Sequence, residues 1–116
     1  MASKGIYQYT VQESNNAGLG QGGSVYLNTA STTFTPTNGV IVAIQIIGDD
    51  ATFDTLTPEN PEKHFGTATG DLGYESGGNQ FSSGVTLAQG TTIFGRFTSV
   101  SLAADDSGGG VICYIG

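Results

Sequence analysis

His64 and Cys113 are the only histidine and the only cysteine of the chain, and nucleophilic or acid–base chemistry would have to begin with them. A Ser-His-Asp triad would depend on His64, but no Gly-x-Ser-x-Gly elbow accompanies it. His64 also follows a proline-rich turn, where a solvated histidine is the expectation. A Cys–His pair would need Cys113 to meet His64, yet Cys113 sits in the apolar run 111–115 and reads as a small buried hydrophobe. Zinc takes three or four His and Cys ligands, and the chain has two such residues. The carboxylates cluster at Asp49, Asp50 and Asp54 and again at Asp105-Asp106. Hard cations such as calcium favour loop carboxylates, but no EF-hand spacing is present. Aspartate is also an ordinary turn residue, because its side chain accepts hydrogen bonds from nearby backbone amides. The stretch Gly18-Leu19-Gly20-Gln21-Gly22-Gly23 has the glycines of a phosphate loop without its lysine. The reading is a protein that is not an enzyme, with no catalytic, cofactor-binding or metal residues assigned.

Charge narrows the partners. The formal net charge is −7, and the three basic residues are Lys4, Lys63 and Arg96. Displacing counterions from phosphate needs clustered cations, so nucleic acid is not an expected partner, and neither is an anionic membrane. A single cysteine allows no intrachain disulfide. The opening Met1-Ala2-Ser3-Lys4-Gly5 has no apolar stretch to act as a signal peptide. The longest nearly apolar run, 39–48, is too short to span a bilayer. A soluble protein made in a cytoplasm is expected.

The elements that must carry these side chains read as strands. Nineteen glycines and abundant Thr, Val, Ile, Tyr and Phe suit pleated surfaces joined by tight turns. Residues 4–11 alternate, with Tyr7, Tyr9 and Val11 on one face. Residues 13–23 form a loop, Ser24–Leu27 a short strand, and residues 28–38 a polar connection ending in the Asn38-Gly39 turn. Val40–Ile47 is the most apolar segment and is expected as a central strand, since its β-branched residues oppose the buried-helix alternative. Ala51–Leu56 is expected to pair with it in a hairpin across Gly48–Asp50, with Ala51, Phe53 and Thr55 on one face. Thr57 and Pro58 have the look of a cap and first position of a single helical turn. A long surface excursion follows at 66–84, with room for a short hairpin, then a strand at Val85–Ala88 and a turn at Gln89-Gly90. In Thr91–Ala103, Ile93, Gly95 and Phe97 share one face, but the apolar positions then become Val100 and Leu102. A β-bulge near Thr98-Ser99, or a strand crossing between sheets, would explain the switch of parity. Val111–Ile115 is the last strand. The expected fold is all-β, an antiparallel β-sandwich or barrel of about seven to eight short strands, with 1–116 as a single domain.

Two phrases of the sequence carry a resemblance. Gly90-Thr91-Thr92-Ile93-Phe94-Gly95-Arg96-Phe97-Thr98-Ser99-Val100-Ser101-Leu102, followed by Gly110-Val111-Ile112-Cys113-Tyr114-Ile115-Gly116, resembles the end of small virion structural proteins of tailed phages, the capsid decoration or cement proteins. The resemblance implies a virion protein on the capsid surface, bound to the major capsid protein and assembled as a homo-oligomer, commonly a trimer. Residues 1–10 would then be an extended N-terminal arm that adds to another chain's sheet, the plain alternative being an ordinary first strand of the domain. The competing reading is a tail, fibre or host-adhesion module that binds a glycan through the loop 66–84. A lectin-like domain outside any virion would use Tyr74 and Phe81 as its aromatic platform.

Overall fold

The computed structural model describes residues 22–30, 32–48, 50–74, 77–81, 84–106 and 108–116. The strand expected at 4–11, the arm at 1–10 and the loop up to residue 21 lie outside the described residues. Within them are seven strands: β1 (Ser24–Leu27), β2 (Ile41–Ile46), β3 (Asp50–Ala51), β4 (Phe53–Pro58), β5 (Leu87–Ala88), β6 (Thr92–Leu102) and β7 (Val111–Ile115). They form a five-stranded sheet in the order β1-β7-β2-β6-β4 and a two-stranded sheet, β3-β5, with every pairing antiparallel. The all-β antiparallel architecture is the expected one. Among the described residues no helix is long and apolar enough to cross a membrane.

The segment Ile41–Ile46 occupies the middle of the large sheet, between β7 and β6. A strand apolar on nearly every residue loses least when both its edges and both its faces are covered, and Ile41, Val42, Ala43, Ile44 and Ile46 are all buried. Ile41, Ile44 and Ile46 face the main core with Phe53, Leu56, Phe97, Val100, Val111 and Cys113. Val42 is an extra residue in β2 relative to β7, where the register steps between Ile41 and Ala43. The bulge turns Val42 and Ala43 away from that core cluster.

The hairpin expected across Gly48–Asp50 does not form. Both edges of β2 are filled by β6 and β7, so β4 pairs on the far side of β6, parallel in direction to β2. The connection instead carries the chain into β3, which pairs with β5. The expected facing of the segment also shifts. A register step between Phe53 and Thr55 sends Leu56 and Pro58, rather than Thr55, to the buried side.

The helical-turn signal was displaced by three residues. Pro58 closes β4 and is buried, whereas Asn60-Pro61 carries the turn. The Asn60 carbonyl accepts from the amides of Lys63 (3.0 Å) and His64 (3.1 Å), and its side-chain oxygen accepts from Glu62 N at 2.8 Å. Asn60 is thus the cap and Pro61 the first-turn residue. The strand expected at Val85–Ala88 shrinks to Leu87–Ala88. At the start of the excursion 66–84 an isolated antiparallel bridge joins Phe65 to Leu72, and Asp71 N donates to Ala68 O; among the described residues no strand pair forms within the excursion.

The parity switch in β6 has the bulge as its cause. Thr57 pairs with Ser99 but Pro58 pairs with Phe97, leaving Thr98 unpaired against β4. Ile93 and Phe97 before it, and Val100 and Leu102 after it, therefore reach the same core. The connection 28–38 is less polar in use than in composition. Phe34 exchanges two backbone hydrogen bonds with Val100 (2.8 and 3.0 Å) and packs on the core.

Phe97 is fully buried and opposes both Ile41 and Pro58. Replacing it by alanine leaves a cavity where three strands meet. Phe97→Ala should cost about 3–5 kcal/mol of unfolding free energy, read from the urea midpoint at unchanged slope, whereas Thr92→Ala at the exposed start of the same strand should change it by no more than about 0.5 kcal/mol.

Candidate interaction surface

The two faces of the five-stranded sheet differ. The inner face carries the core. On the outer face, register places Tyr26 opposite Ile112, Ile112 opposite Gln45, and Gln45 opposite Thr92. One row further along, Ser24, Tyr114, Ala43 and Phe94 align across the same four strands. None of these eight residues is charged. Phe94 is 60% exposed and Tyr26 50%. The patch is held in place by its own polar tips: the Tyr114 hydroxyl donates to Gln45 Oε1 at 3.3 Å, and the Tyr26 hydroxyl donates to the Gly109 carbonyl. Ala43 between Tyr114 and Phe94 is buried and Gln45, Ile112 and Tyr114 are partly so, which leaves Tyr26 and Phe94 as the exposed aromatic groups of this face; exposed aromatic side chains on a rigid support are a usual form of contact site.

The other half of the outer face, on β4 and the end of β6, is hydroxyl-rich. Ser99 Oγ donates to Thr57 Oγ1 at 2.9 Å, and Thr55 lies opposite Ser101. Arg96 marks the border. Its Nε lies 2.7 Å from Glu59 Oε1, and the backbone repeats the link through Glu59 N to Arg96 O at 2.8 Å. A partly exposed pair of this kind adds at most about 1 kcal/mol.

Gly95 explains the spacing of the phrase Phe94-Gly95-Arg96-Phe97. A side chain at Gly95 would meet the Phe97 ring at 2.7 Å. The glycine lets the buried ring lie back along its own strand while Phe94, one residue earlier, points out.

The residues singled out for chemistry are scattered. His64 is not solvated as its turn implied. It is half-buried, and its Nε2 is enclosed without a hydrogen-bond partner among the described residues. Burial lowers its pKa below the ordinary 6.5, Arg96 and Lys63 push the same way, and Glu59 opposes them. Cys113 is buried on β7 as expected, and burial pushes its thiol up to about 12. The carboxylates of Asp105 and Asp106 serve the backbone: Ala30 N donates to Asp105 Oδ1 at 2.6 Å and Gly110 N to Asp106 Oδ2 at 3.0 Å. With Asp50 they line a pocket of about 220 Å³. Among the described residues no group of three or more His, Cys, Asp or Glu side chains is set to hold a metal ion. Asp49 is outside the described residues.

Tyr74 and Phe81 do not form one platform. Tyr74 is 47% exposed, with Lys63 Nζ 4.4 Å from its ring centre. Phe81 turns inward, its ring 5.0 Å from Phe65 and 6.4 Å from Phe53. The outer aromatic patch went unread in the sequence. Tyr26 and Phe94 lie 68 positions apart, and strand order alone brings them to one face.

Comparison with protein-family models, with curated proteins and with solved structures gives no match to the chain.

Two expectations follow from the buried groups. His64 takes up its proton at a lower pH when folded than when unfolded, so its contribution is intact above pH 6.5 and is lost as pH falls below it. Urea midpoints between about pH 7.5 and 5.5 should fall more for the parent than for His64→Gln; equal falls would exclude the histidine as the cause. Cys113 should resist a thiol reagent until the chain unfolds, so modification followed by absorbance should track the denaturant transition.

Proposed function

We propose that this chain is a tailed-phage virion structural protein that decorates or cements the capsid, bound to the major capsid protein as a homo-oligomer, with the trimer as the form that the resemblance implies. The observation that supports this reading is the uncharged aromatic half of the outer sheet face, where Phe94 and Tyr26 stand exposed on a rigid five-stranded support. A cement protein needs a stiff body and an adhesive face. Aromatic side chains supply contact area at small entropic cost, and a face without charges can be desolvated against a partner cheaply. The acidic remainder of a chain with net charge −7 keeps the free protein soluble.

The second reading, a tail, fibre or host-adhesion module, draws on the shallow depression at Tyr74, Leu72 and Lys63. The two readings use different surfaces, so substitution separates them.

The test is sedimentation of purified protein with empty capsids, alongside light scattering of the free protein. Phe94→Asp should weaken capsid binding by about tenfold or more while leaving the melting temperature nearly unchanged, because the side chain is already mostly in water. Tyr74→Ala should leave capsid binding intact. Loss of glycan or cell-surface binding in Tyr74→Ala, with no capsid binding by the parent protein, would replace the first reading with the second.

A further inference from the structure

We infer that Asn38 is a site of spontaneous covalent modification, at which the side-chain amide is lost through cyclisation onto the backbone nitrogen of Gly39. In this reaction the Gly39 nitrogen, having given its proton to solvent base, attacks Asn38 Cγ. The new N–Cγ bond closes a five-membered imide, and the Cγ–Nδ2 bond breaks with release of ammonia. Water then opens the imide at either carbonyl. One opening gives aspartate; the other gives isoaspartate, in which the main chain runs through Cβ. No oxidant, reductant or metal is needed.

Two features place this chemistry at Asn38. The first is the residue that follows. A side chain on that residue hinders the attacking nitrogen, and Asn38 is the one asparagine of the sequence followed by glycine. The others precede Asn16, Ala17, Thr29, Pro61 and Gln80. Pro61 has no N–H to give up, and the Asn60 side chain is already engaged with Glu62 N. The second is the fold. Asn38 and Gly39 are exposed in a bend between Phe34 and β2, where the side chain is free of strand packing.

The fold also prevents this sequence from being repaired at position 39. Gly39 has φ of +79°, and a Cβ there would stand 2.5 Å from the Gly116 oxygen. The turn therefore demands glycine, and glycine is the residue that leaves the imide route unhindered. The modification adds one negative charge to a chain already at −7. In the isoaspartate form it also lengthens the backbone immediately before β2, where Gly116 N donates to Val40 O at 3.0 Å.

The test is incubation of the folded protein in mildly alkaline buffer at physiological temperature. Intact mass and peptide mapping follow the conversion, and electron-based fragmentation separates aspartate from isoaspartate. Amide loss should fall on Asn38 in most chains while Asn79, also exposed, keeps its amide. Asn38→Gln, whose longer side chain cannot close the five-membered ring, should show no conversion at this position. Asn38→Asp should melt like the parent, while aged isoaspartate protein melts lower. The inference is overturned if Asn38 survives in the folded protein while a peptide spanning 35–42 converts, or if Asn79 converts as fast.

Discussion

The structure depends on one residue serving two strands. Phe97 stands opposite Ile41 of β2 and Pro58 of β4, and its ring lies 6.1 Å from that of Phe65. A long strand that pairs with β2 along its first half and β4 along its second must change twist between them. The bulge at Thr98 supplies the change, and Phe97 fills the space beneath it. Gly95 clears room for the ring. If that packing were lost, β6 could not keep its two apolar sets, Ile93–Phe97 and Val100–Leu102, on one core.

The parts of this arrangement that were legible in the sequence are those set by local pattern. The apolar run after Asn38-Gly39 announced a central strand, and the shift from Phe97 to Val100 announced either a bulge or a crossing between sheets. Pairing partners were not legible, because they depend on which edges remain after the most apolar strand has taken its neighbours. Phe53–Leu56 follows β2 in sequence and pairs on the far side of β6 for that reason, while Ala51 pairs with Leu87 of β5. The cap at Asn60 was obscured because Thr57-Pro58 offers the same chemistry three residues earlier; the ladder to Ser99 keeps Thr57 extended. Phe34 was hidden in a polar segment because a single backbone bridge, rather than a periodic pattern, fixes it.

The surface follows from the same geometry. Bulges in β2 and β6 divide the outer face into an aromatic half and a hydroxyl half, with the Arg96–Glu59 pair between them. Of the carboxylates that raised the question of calcium, Asp105 and Asp106 hold the backbone around Ala30 and Gly110. Along the two register rows that hold Tyr26 and Phe94 no residue is charged.

Strand β7 lies between β1 and β2, although 64 residues separate it in sequence from the end of β2. The sheet is thus closed by a segment made long after its neighbours. Contacts between 24–27 and 111–114 have a high sequence separation, which slows folding. On the ribosome, β1 and β2 must wait with unpaired edges until residues 111–115 have emerged. During that interval the most apolar strand of the molecule is open to pairing with another nascent chain.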